Sequence, residues 1–313
     1  MDTKGPIFLV GCPRSGTTLL QQMLDAHPDV AIAPETFFME RFWLQRNRYG
    51  PLAQDSSFHQ LLEDIIALPE FDEMGLSPID FRKAAWQSER TYPAVFHLLL
   101  EQFSELSEAK VVGEKTPKHI LHMEALLQFF PAARFIHIVR DPRAVATSWQ
   151  QVPWSTGSLT GDTRVWRRYV TKTRYCSPLV KSVLLTLHYE QLVSQPEREL
   201  HALCRFLDLE YQSAMMNYAR RESQLVNVAR EPWKANARRP LSRSSLNRWQ
   251  TELSSSALLK IEAAAGSEMK YFGYQPVTHT LPLLPAKLLM AMKSGLRELP
   301  KLLKTNDYIQ QIK

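Results

Sequence analysis

The feature that most constrains this chain is a glycine-rich loop near its start, Gly11–Thr18, with the sequence GCPRSGTT. The segment before it, Pro6–Gly11, carries IFLV between chain-breaking residues and predicts a short buried strand of a parallel sheet. The residues after it predict a helix over 17–27. Such a loop binds phosphate groups because its backbone N–H groups and the helix dipole point at the anion. The chain is therefore expected to fold around a phosphate-binding loop.

The rest of the chain alternates short apolar segments with helical patterns. Further strands are predicted at Val30–Ala33, Lys110–Gly113, Arg134–Val139 and Val183–Leu187. Helices are predicted at about 118–130, 142–151, 162–181 and 197–207, with a helical insert at about 37–106. This alternation predicts an α/β fold with a P-loop-type, doubly wound parallel sheet, in a single domain over about 1–280.

The residue types inside the loop indicate which phosphate it binds. Nucleoside triphosphatases place a lysine where this chain has Thr17, and here the positive charge lies earlier, at Arg14. A triphosphate needs that lysine and a Mg²⁺ ligand, so we expect neither a triphosphate nor a metal. The candidate phosphate-binding residues are Arg14, Ser15, Gly16, Thr17 and Thr18. A P-loop nucleotide kinase stays open as an alternative, which binding of Mg-ATP would support.

Net charge points to an anionic partner. The chain carries 38 Lys and Arg against 32 Asp and Glu, a formal net charge of +6. A non-catalytic protein that binds anions or nucleic acid through a basic surface is a second alternative. Such a protein would bind without turnover and would lose affinity steeply with salt. The phosphate loop leads us to expect a nucleotide rather than nucleic acid.

Cysteine usage and the chain ends bear on location. The three cysteines have neither a disulfide framework nor metal-ligand spacing. The first predicted strand begins after about five residues and leaves no room for a signal peptide, so we expect a cytoplasmic protein. Residues 281–313 form a separate extension, in which 281–304 predicts a basic amphipathic helix. Peripheral membrane contact, packing on the domain and a homodimer interface all stay open for it.

The loop resembles that of the sulfotransferases that use 3′-phosphoadenosine 5′-phosphosulfate (PAPS), in which PRSGTT or PKSGTT binds the 5′-phosphosulfate. Later segments agree in chain order: GEKTP at Gly113–Pro117, FIHIVRDPRAVATSW at Phe135–Trp149 and LHYEQLVSQPERELHALCRFLDL at Leu187–Leu209. Together they are similar to the branch that includes bacterial and tyrosylprotein sulfotransferases. The resemblance runs from residue 5 to about 274 and implies sulfuryl transfer from PAPS to an acceptor hydroxyl, without a metal.

The resemblance also implies nucleotide contacts. Arg140 and Ser148 lie eight residues apart, at the positions that bind the 3′-phosphate in the family. Tyr189 matches a tyrosine that borders the nucleotide. The basic run 230–248 is either a lid over the nucleotide or a solvated loop. Asp141 is expected to cap the helix that follows and to pair with Arg143 at the surface.

Two catalytic residues follow from the resemblance. Glu35 matches the catalytic base of tyrosylprotein sulfotransferases, and Lys115 matches an active-site lysine that would neutralise the leaving oxygen. Nearby cations would lower the pKa of Glu35 and weaken it as a base. Cytosolic sulfotransferases use a histidine instead, so His119 stays open as the base.

The acceptor is the least constrained part. Tyrosylprotein sulfotransferases have an arginine where this chain has Phe37, and that arginine favours acidic peptides. The aromatic residues of 37–43 suggest an apolar acceptor pocket or, at helical spacing, part of the core. We therefore expect a small-metabolite or lipid-like acceptor, with a carbohydrate (glycan) acceptor second.

Overall fold

A five-stranded parallel sheet organises the chain. The computed structural model describes residues 5–220 and 231–278. Within these ranges the strands are β1 (Ile7–Gly11), β2 (Val30–Ala33), β3 (Val111–Glu114), β4 (Arg134–Val139) and β5 (Leu184–His188). Their order is β2-β3-β1-β4-β5, and every pairing is parallel. The predicted doubly wound parallel sheet is confirmed, with β2 and β4 at their predicted bounds and the others beginning one residue late.

The central strand β1 fixes the core. Every residue of β1 is buried, as its unbroken apolar sequence predicts for a strand covered on both faces. Phe8 lies in register with Glu114 on one side and Phe135 on the other. Its ring stacks on that of Phe135, with centroids 5.7 Å apart, and also packs on Phe96 and Phe130. The carboxyl ends of the strands therefore meet at one edge above a filled aromatic core.

The chain divides into two compact units. The first unit comprises Met1–Arg140 and Tyr169–Ser245 and contains the sheet. Its helices up to β4 are α1 (Thr17–Asp25), α2 (Arg46–Tyr49), α3 (Asp55–Ile66), α4 (Pro69–Glu73), α5 (Pro78–Gln87), α6 (Tyr92–Leu106) and α7 (Met123–Phe129). Five of these lie between β2 and β3, so the predicted insert is helical. A π-helical turn (Met39–Trp43) precedes them.

Short 3₁₀ helices occupy several connections. Residues 118–122, predicted as the start of an α-helix, instead lie in the 3₁₀ helix Pro117–His122, in which the His119 amide donates to the Thr116 carbonyl at 3.0 Å. The others are Ser213–Arg220, Pro232–Arg238 and Arg243–Ser245.

Among the described residues, the second unit comprises residues 141–168 and 246–278. The remaining α-helices of the described residues are α8 (Pro142–Trp149), α9 (Leu159–Arg174), α10 (Pro178–Ser182), α11 (Tyr189–Ser194), α12 (Pro196–Phe206), α13 (Arg248–Glu252) and α14 (Ser255–Tyr271), the last kinked at Gly266. Of these, α8, α13 and α14 lie in the second unit, α9 has residues in both, and α10–α12 belong to the first.

Asp141 caps α8 as predicted, accepting a hydrogen bond from the Arg143 amide at 2.8 Å. Its ion pair with Arg143 is not at the surface, because both residues are buried. The Arg143 guanidinium also contacts Glu262 at 3.0 Å and lies over the Trp249 ring. Two carboxylates and an aromatic face thus surround one buried cation, which compensates its desolvation.

Among the described residues, no helix combines the length and apolar character that crossing a bilayer requires. The predicted extension 281–313 lies outside the described residues.

Candidate active site

The phosphate loop has the backbone of an anion site. It connects β1 to α1, and the left-handed φ angles of Arg14 (71°) and Gly16 (103°) curl it around the helix N-terminus. The Ser15 amide closes the turn on the Cys12 carbonyl at 3.1 Å. The Ser15 hydroxyl is buried and has no hydrogen-bond partner among the described residues. A buried donor without a partner is costly, so this atom fits an anion oxygen in the loop.

The other predicted nucleotide residues converge on this loop. Tyr189 begins α11, directly after β5, and its ring packs on Gly16 so closely that a Cβ there would lie 2.4 Å from a ring carbon. Arg140 follows β4, and its guanidinium lies 4.3 Å from the Tyr189 ring centroid. Its Nη1 donates to the Arg14 carbonyl at 3.2 Å. Ser148 lies on α8 in the second unit, and its nucleotide contact stays a prediction.

Two arginine side chains, Arg14 and Arg140, lie close together at the phosphate loop. Burial and the nearby Arg140 guanidinium lower the pKa of Arg14 to about 10. The Arg14 guanidinium therefore stays charged at neutral pH, and an anion bound between it and Arg140 would relieve their repulsion. Thr17 is buried at the first turn of α1, and Thr18 beside it is half-buried. The loop can therefore bind a phosphate or sulfate through guanidinium, hydroxyl and backbone donors.

Glu35 and Lys115 meet at the ends of two neighbouring strands. Glu35 lies two residues beyond β2, Lys115 directly follows β3, and these strands pair in register Ala33 with Glu114. The Lys115 Nζ donates to the Glu35 Oε1. Lys115 is almost fully buried, with 2% of its side chain exposed. The two predicted catalytic residues thus form a direct ion pair that the sheet register holds in place.

A second lysine, which sequence reasoning did not single out, binds the same carboxylate. Lys234, on the short helix Pro232–Arg238, donates to the Glu35 Oε1 at 2.7 Å and to the Glu231 Oε2 at 2.6 Å. Lys234 lies in the predicted basic run 230–248, but nothing in the sequence distinguishes the one cation that contacts Glu35 from the others in that run. Glu35, Lys115 and Lys234 are called the carboxylate–lysine cluster below.

The two lysines determine the protonation of the cluster. Burial alone would raise the pKa of Glu35, but the Lys115 and Lys234 charges lower it to about 2. Burial lowers the pKa of Lys115 to about 8 in spite of its carboxylate partner. For Lys234, burial opposes the charge, but Glu35 and Glu231 raise the pKa overall. At neutral pH the carboxylate is ionised and both lysines are charged.

His119, the alternative base, lies below this cluster and is completely buried. Its Nδ1 is 2.9 Å from the Glu114 Oε2, and its Nε2 is 3.5 Å from the Glu40 Oε2. Burial lowers its pKa, but the two carboxylates outweigh burial and raise it to about 10. The Met39 amide also donates to His119 Nε2, at 3.4 Å. Because His119 is completely buried and protein groups contact both of its nitrogens, Glu35, with 17% of its side chain exposed, is better placed to contact a bound acceptor.

The sequence matches the family model described as "Sulfotransferase family" over residues 6–213. It is 25% identical over 268 residues to a putative protein-tyrosine sulfotransferase of Caenorhabditis briggsae, covering 83% of this chain and 85% of that protein. It is 30% identical over 219 residues to protein-tyrosine sulfotransferase 1 of Danio rerio, covering 68% of this chain but only 55% of that protein. The chain thus spans about half the length of the zebrafish relative.

Among solved structures, the sulfotransferase domain of the olefin synthase of Synechococcus PCC 7002 superposes with a TM-score of 0.63 at 21% identity. The alignment covers 88% of this chain and 98% of that domain. The two chains therefore share a fold.

The contact of Gly16 with Tyr189 predicts a large cost for a side chain at Gly16. Gly16→Ala is expected to lower the free energy of unfolding by about 1–3 kcal/mol, because a Cβ would both strain the left-handed backbone and displace the ring. Urea denaturation measures this loss. The matched control is Gly157→Ala, where φ is 73° but nothing lies within 4 Å of the added Cβ. Equal losses in the two variants would contradict the Tyr189 contact.

Proposed function

The chain belongs to the sulfotransferase family of PAPS-dependent enzymes, and we propose that it transfers the sulfuryl group of PAPS to an acceptor hydroxyl. One observation carries this proposal: an arginine-containing phosphate loop and the carboxylate–lysine cluster both lie beyond the carboxyl ends of neighbouring parallel strands. Ligands of open α/β sheets bind at that edge.

The phosphate loop accounts for the donor. Its backbone amides, the Arg14 guanidinium and the Ser15 hydroxyl bind the 5′-phosphosulfate, while Thr17 and Thr18 add hydroxyl donors at the helix N-terminus. The Ser15 hydroxyl supports this assignment, because it finds no hydrogen-bond partner in the part of the chain that the structure describes. No metal ligand is needed, because arginine and backbone donors balance the charge of a phosphosulfate.

The 3′-phosphate requires a second cation. Arg140, together with Ser148, binds it, and Tyr189 borders the nucleotide. The support is that Arg140 lies against both the loop carbonyl of Arg14 and the ring of Tyr189. PAPS carries two separate anionic groups, so its 5′-phosphosulfate can contact Arg14 while its 3′-phosphate contacts Arg140.

The carboxylate–lysine cluster accounts for the chemistry. The acceptor oxygen forms a bond to sulfur while the bond between sulfur and the bridging phosphate oxygen breaks. The acceptor proton passes to Glu35, and the electron pair of the broken bond stays on the departing bisphosphate. As charge develops on that oxygen, the Lys115 ammonium turns from Glu35 towards it. Glu35 then has one cation instead of two, so its pKa rises as it accepts the proton.

Binding of the product nucleotide tests the donor site. Calorimetry with 3′-phosphoadenosine 5′-phosphate is expected to show binding that is indifferent to Mg²⁺. Arg140→Ala should weaken it by about 10–100-fold, the effect of one charge-assisted contact. Arg198→Ala, which removes an exposed arginine of α12, is the matched control. Preference for Mg-ATP, or an unchanged affinity in Arg140→Ala, would favour a nucleotide kinase instead.

The pKa of Lys115 predicts how turnover depends on pH. The ammonium form is needed, and it is lost as the pH rises through about 8, so turnover should fall above that pH. Sulfate transfer from radiolabelled PAPS measures the profile. Lys115→Ala should reduce turnover by about 10²–10³-fold. Lys115→Arg, slower but still charged, should keep its activity to higher pH. A limb that stays near pH 8 in Lys115→Arg would assign it to another group.

For the acceptor, we propose a hydroxyl of a small or lipid-like molecule, with a carbohydrate second. The aromatic residues of 37–43 support this only in part. Phe38 and Phe42 are buried, and Phe38 stacks on Phe96 at 4.2 Å, so these two belong to the core. Phe37 is half-buried beside Glu35. The Arg41 guanidinium lies over the Phe37 ring, but Glu70 pairs with it at 2.9 Å. An acidic peptide therefore finds no uncompensated cation at this position.

An acceptor panel tests this proposal. The wild type should sulfate a phenol or an aliphatic alcohol faster than a tyrosine flanked by acidic residues, because Phe37 replaces a cation. Phe37→Arg should shift the preference towards the acidic peptide by about two- to fivefold, the effect of one exposed ion pair. Phe37→Leu, which stays apolar, is the control. Faster sulfation of the peptide by the wild type would make a protein tyrosine the acceptor.

A further inference from the structure

A second charged group lies beneath the active site and takes no part in the proposed chemistry. Glu40, Glu114 and His119 form it and are called the buried charge cluster below. Glu114 and His119 are completely inaccessible, and Glu40 is 5% exposed. Burying three ionisable groups is expensive unless each is paired, so such a cluster calls for a reason beyond stability.

Glu114 joins the two turns that carry the catalytic residues. Its Oε1 accepts hydrogen bonds from the Thr36 amide at 3.0 Å, from the Thr36 hydroxyl at 2.7 Å and from the Thr116 hydroxyl. Thr36 directly follows Glu35, and Thr116 directly follows Lys115. One carboxylate oxygen therefore fixes both turns against each other.

Backbone pairing alone does not position these turns. The last ladder bond between the strands runs from the Lys115 amide to the Ala33 carbonyl at 3.2 Å. Beyond it, Phe37 has a left-handed φ of 51°, an unfavourable conformation for a large side chain. The Phe37 amide donates to the Thr116 hydroxyl at 3.3 Å, within reach of the Glu114 contacts. Side-chain bonds to Thr36 and Thr116 thus replace the ladder where it ends.

His119 compensates the charge of Glu114. Its Nδ1 faces the free Oε2 of that carboxylate at 2.9 Å, and Glu40 faces its other nitrogen. Glu40 is in turn 3.3 Å from the Nε2 of His122. Apart from these charged groups, the Met39 amide donates to the Nε2 of His119 at 3.4 Å, and the Phe8 and Phe96 rings pack against the imidazole. His119 is therefore enclosed by two carboxylates, one backbone amide and aromatic rings.

We propose that His119 and Glu114 are positioning residues, which hold Glu35 and Lys115 in register for sulfuryl transfer. This inference rests on the proposed function, because the proposed function gives Glu35 and Lys115 their catalytic roles. A neutral His119 would leave the Glu114 charge uncompensated in the interior. The carboxylate would then have to draw in another donor, and the Thr36 and Thr116 turns would separate. Misplacement of reacting groups by about 1 Å can cost about 10²-fold in rate.

The first test uses the wild type alone. Nitrogen-15 NMR of histidine-labelled protein reports the protonation of each ring, and His119 is assigned by its absence from spectra of His119→Gln. Its two ring nitrogens are expected to stay in the imidazolium form from pH 6 to pH 9, because Glu114 and Glu40 face it and His122 lies beyond Glu40. Titration near the ordinary value of about 6.5 would overturn the proposal.

The second test separates positioning from proton transfer. His119→Gln keeps a donor for Glu114 but removes the charge. Its turnover should fall about 10–100-fold, while the KM for PAPS, bisphosphate binding and the shape of the pH profile stay as in the wild type. His97→Gln, an exposed histidine of α6, is the matched control. Turnover equal to that of the control, or loss of one limb of the profile, would overturn the positioning role.

The third test does not depend on turnover. Crystal structures of the wild type and His119→Gln should show the bond between Lys115 and Glu35 lost in the variant, with Arg14 and Arg140 unmoved. An intact bond would overturn the inference. If the wild type neither binds the bisphosphate nor uses PAPS, the proposed function fails, and this comparison still decides the positioning role. If His119→Gln does not fold, Glu114→Gln serves as the second variant. The NMR signals of His119 are then assigned in the wild type by through-bond correlation experiments.

Discussion

Two lysine ammonium groups share one oxygen of the Glu35 carboxylate, and the organisation of the sheet edge depends on that shared charge. Lys115 is almost completely buried, and an isolated ammonium there would lose several kcal/mol of hydration. The carboxylate compensates it only because β2 and β3 pair in parallel and end together. The contact also joins the short helix Pro232–Arg238 to the sheet, so residues 199 positions apart in the chain meet at one atom.

Strand order explains how distant segments reach a common edge. The order β2-β3-β1-β4-β5 places the Glu35 and Lys115 turns on one side of the phosphate loop and the Arg140 and Tyr189 turns on the other. In the proposed reaction, the turns after β2 and β3 carry the chemistry, and the turns after β4 and β5 bind the nucleotide. The topology places the loop after β1 between these two pairs of turns.

Local patterns made much of this predictable. IFLV before GCPRSGTT identified the central strand and its loop, because breakers and a buried apolar run are properties of neighbouring residues. Two questions that the sequence left open depended on longer-range packing. Lys234 was one cation among many, and only the fold shows which of them reaches Glu35. Phe38 and Phe42 have a spacing that suits a pocket and a core equally, and the packing of Phe96 against Phe38 places them in the core.

Side chains alternate between the two faces of an extended backbone, and this alternation links the carboxylate–lysine cluster to the buried charge cluster. Consecutive residues of an extended segment point to opposite faces, so a polar residue at one position dictates what its neighbour meets. In β3 and the turn after it, Glu114 contacts His119, whereas the next residue, Lys115, contacts Glu35 on the opposite face. In the turn after β2, Thr36 contacts Glu114, whereas Glu35 contacts Lys115 on the opposite face. A one-residue slip of β3 would exchange the buried carboxylate with the active-site lysine. The buried charge cluster and the carboxylate–lysine cluster therefore both oppose such a slip, since it would leave a buried charge without its partner in each.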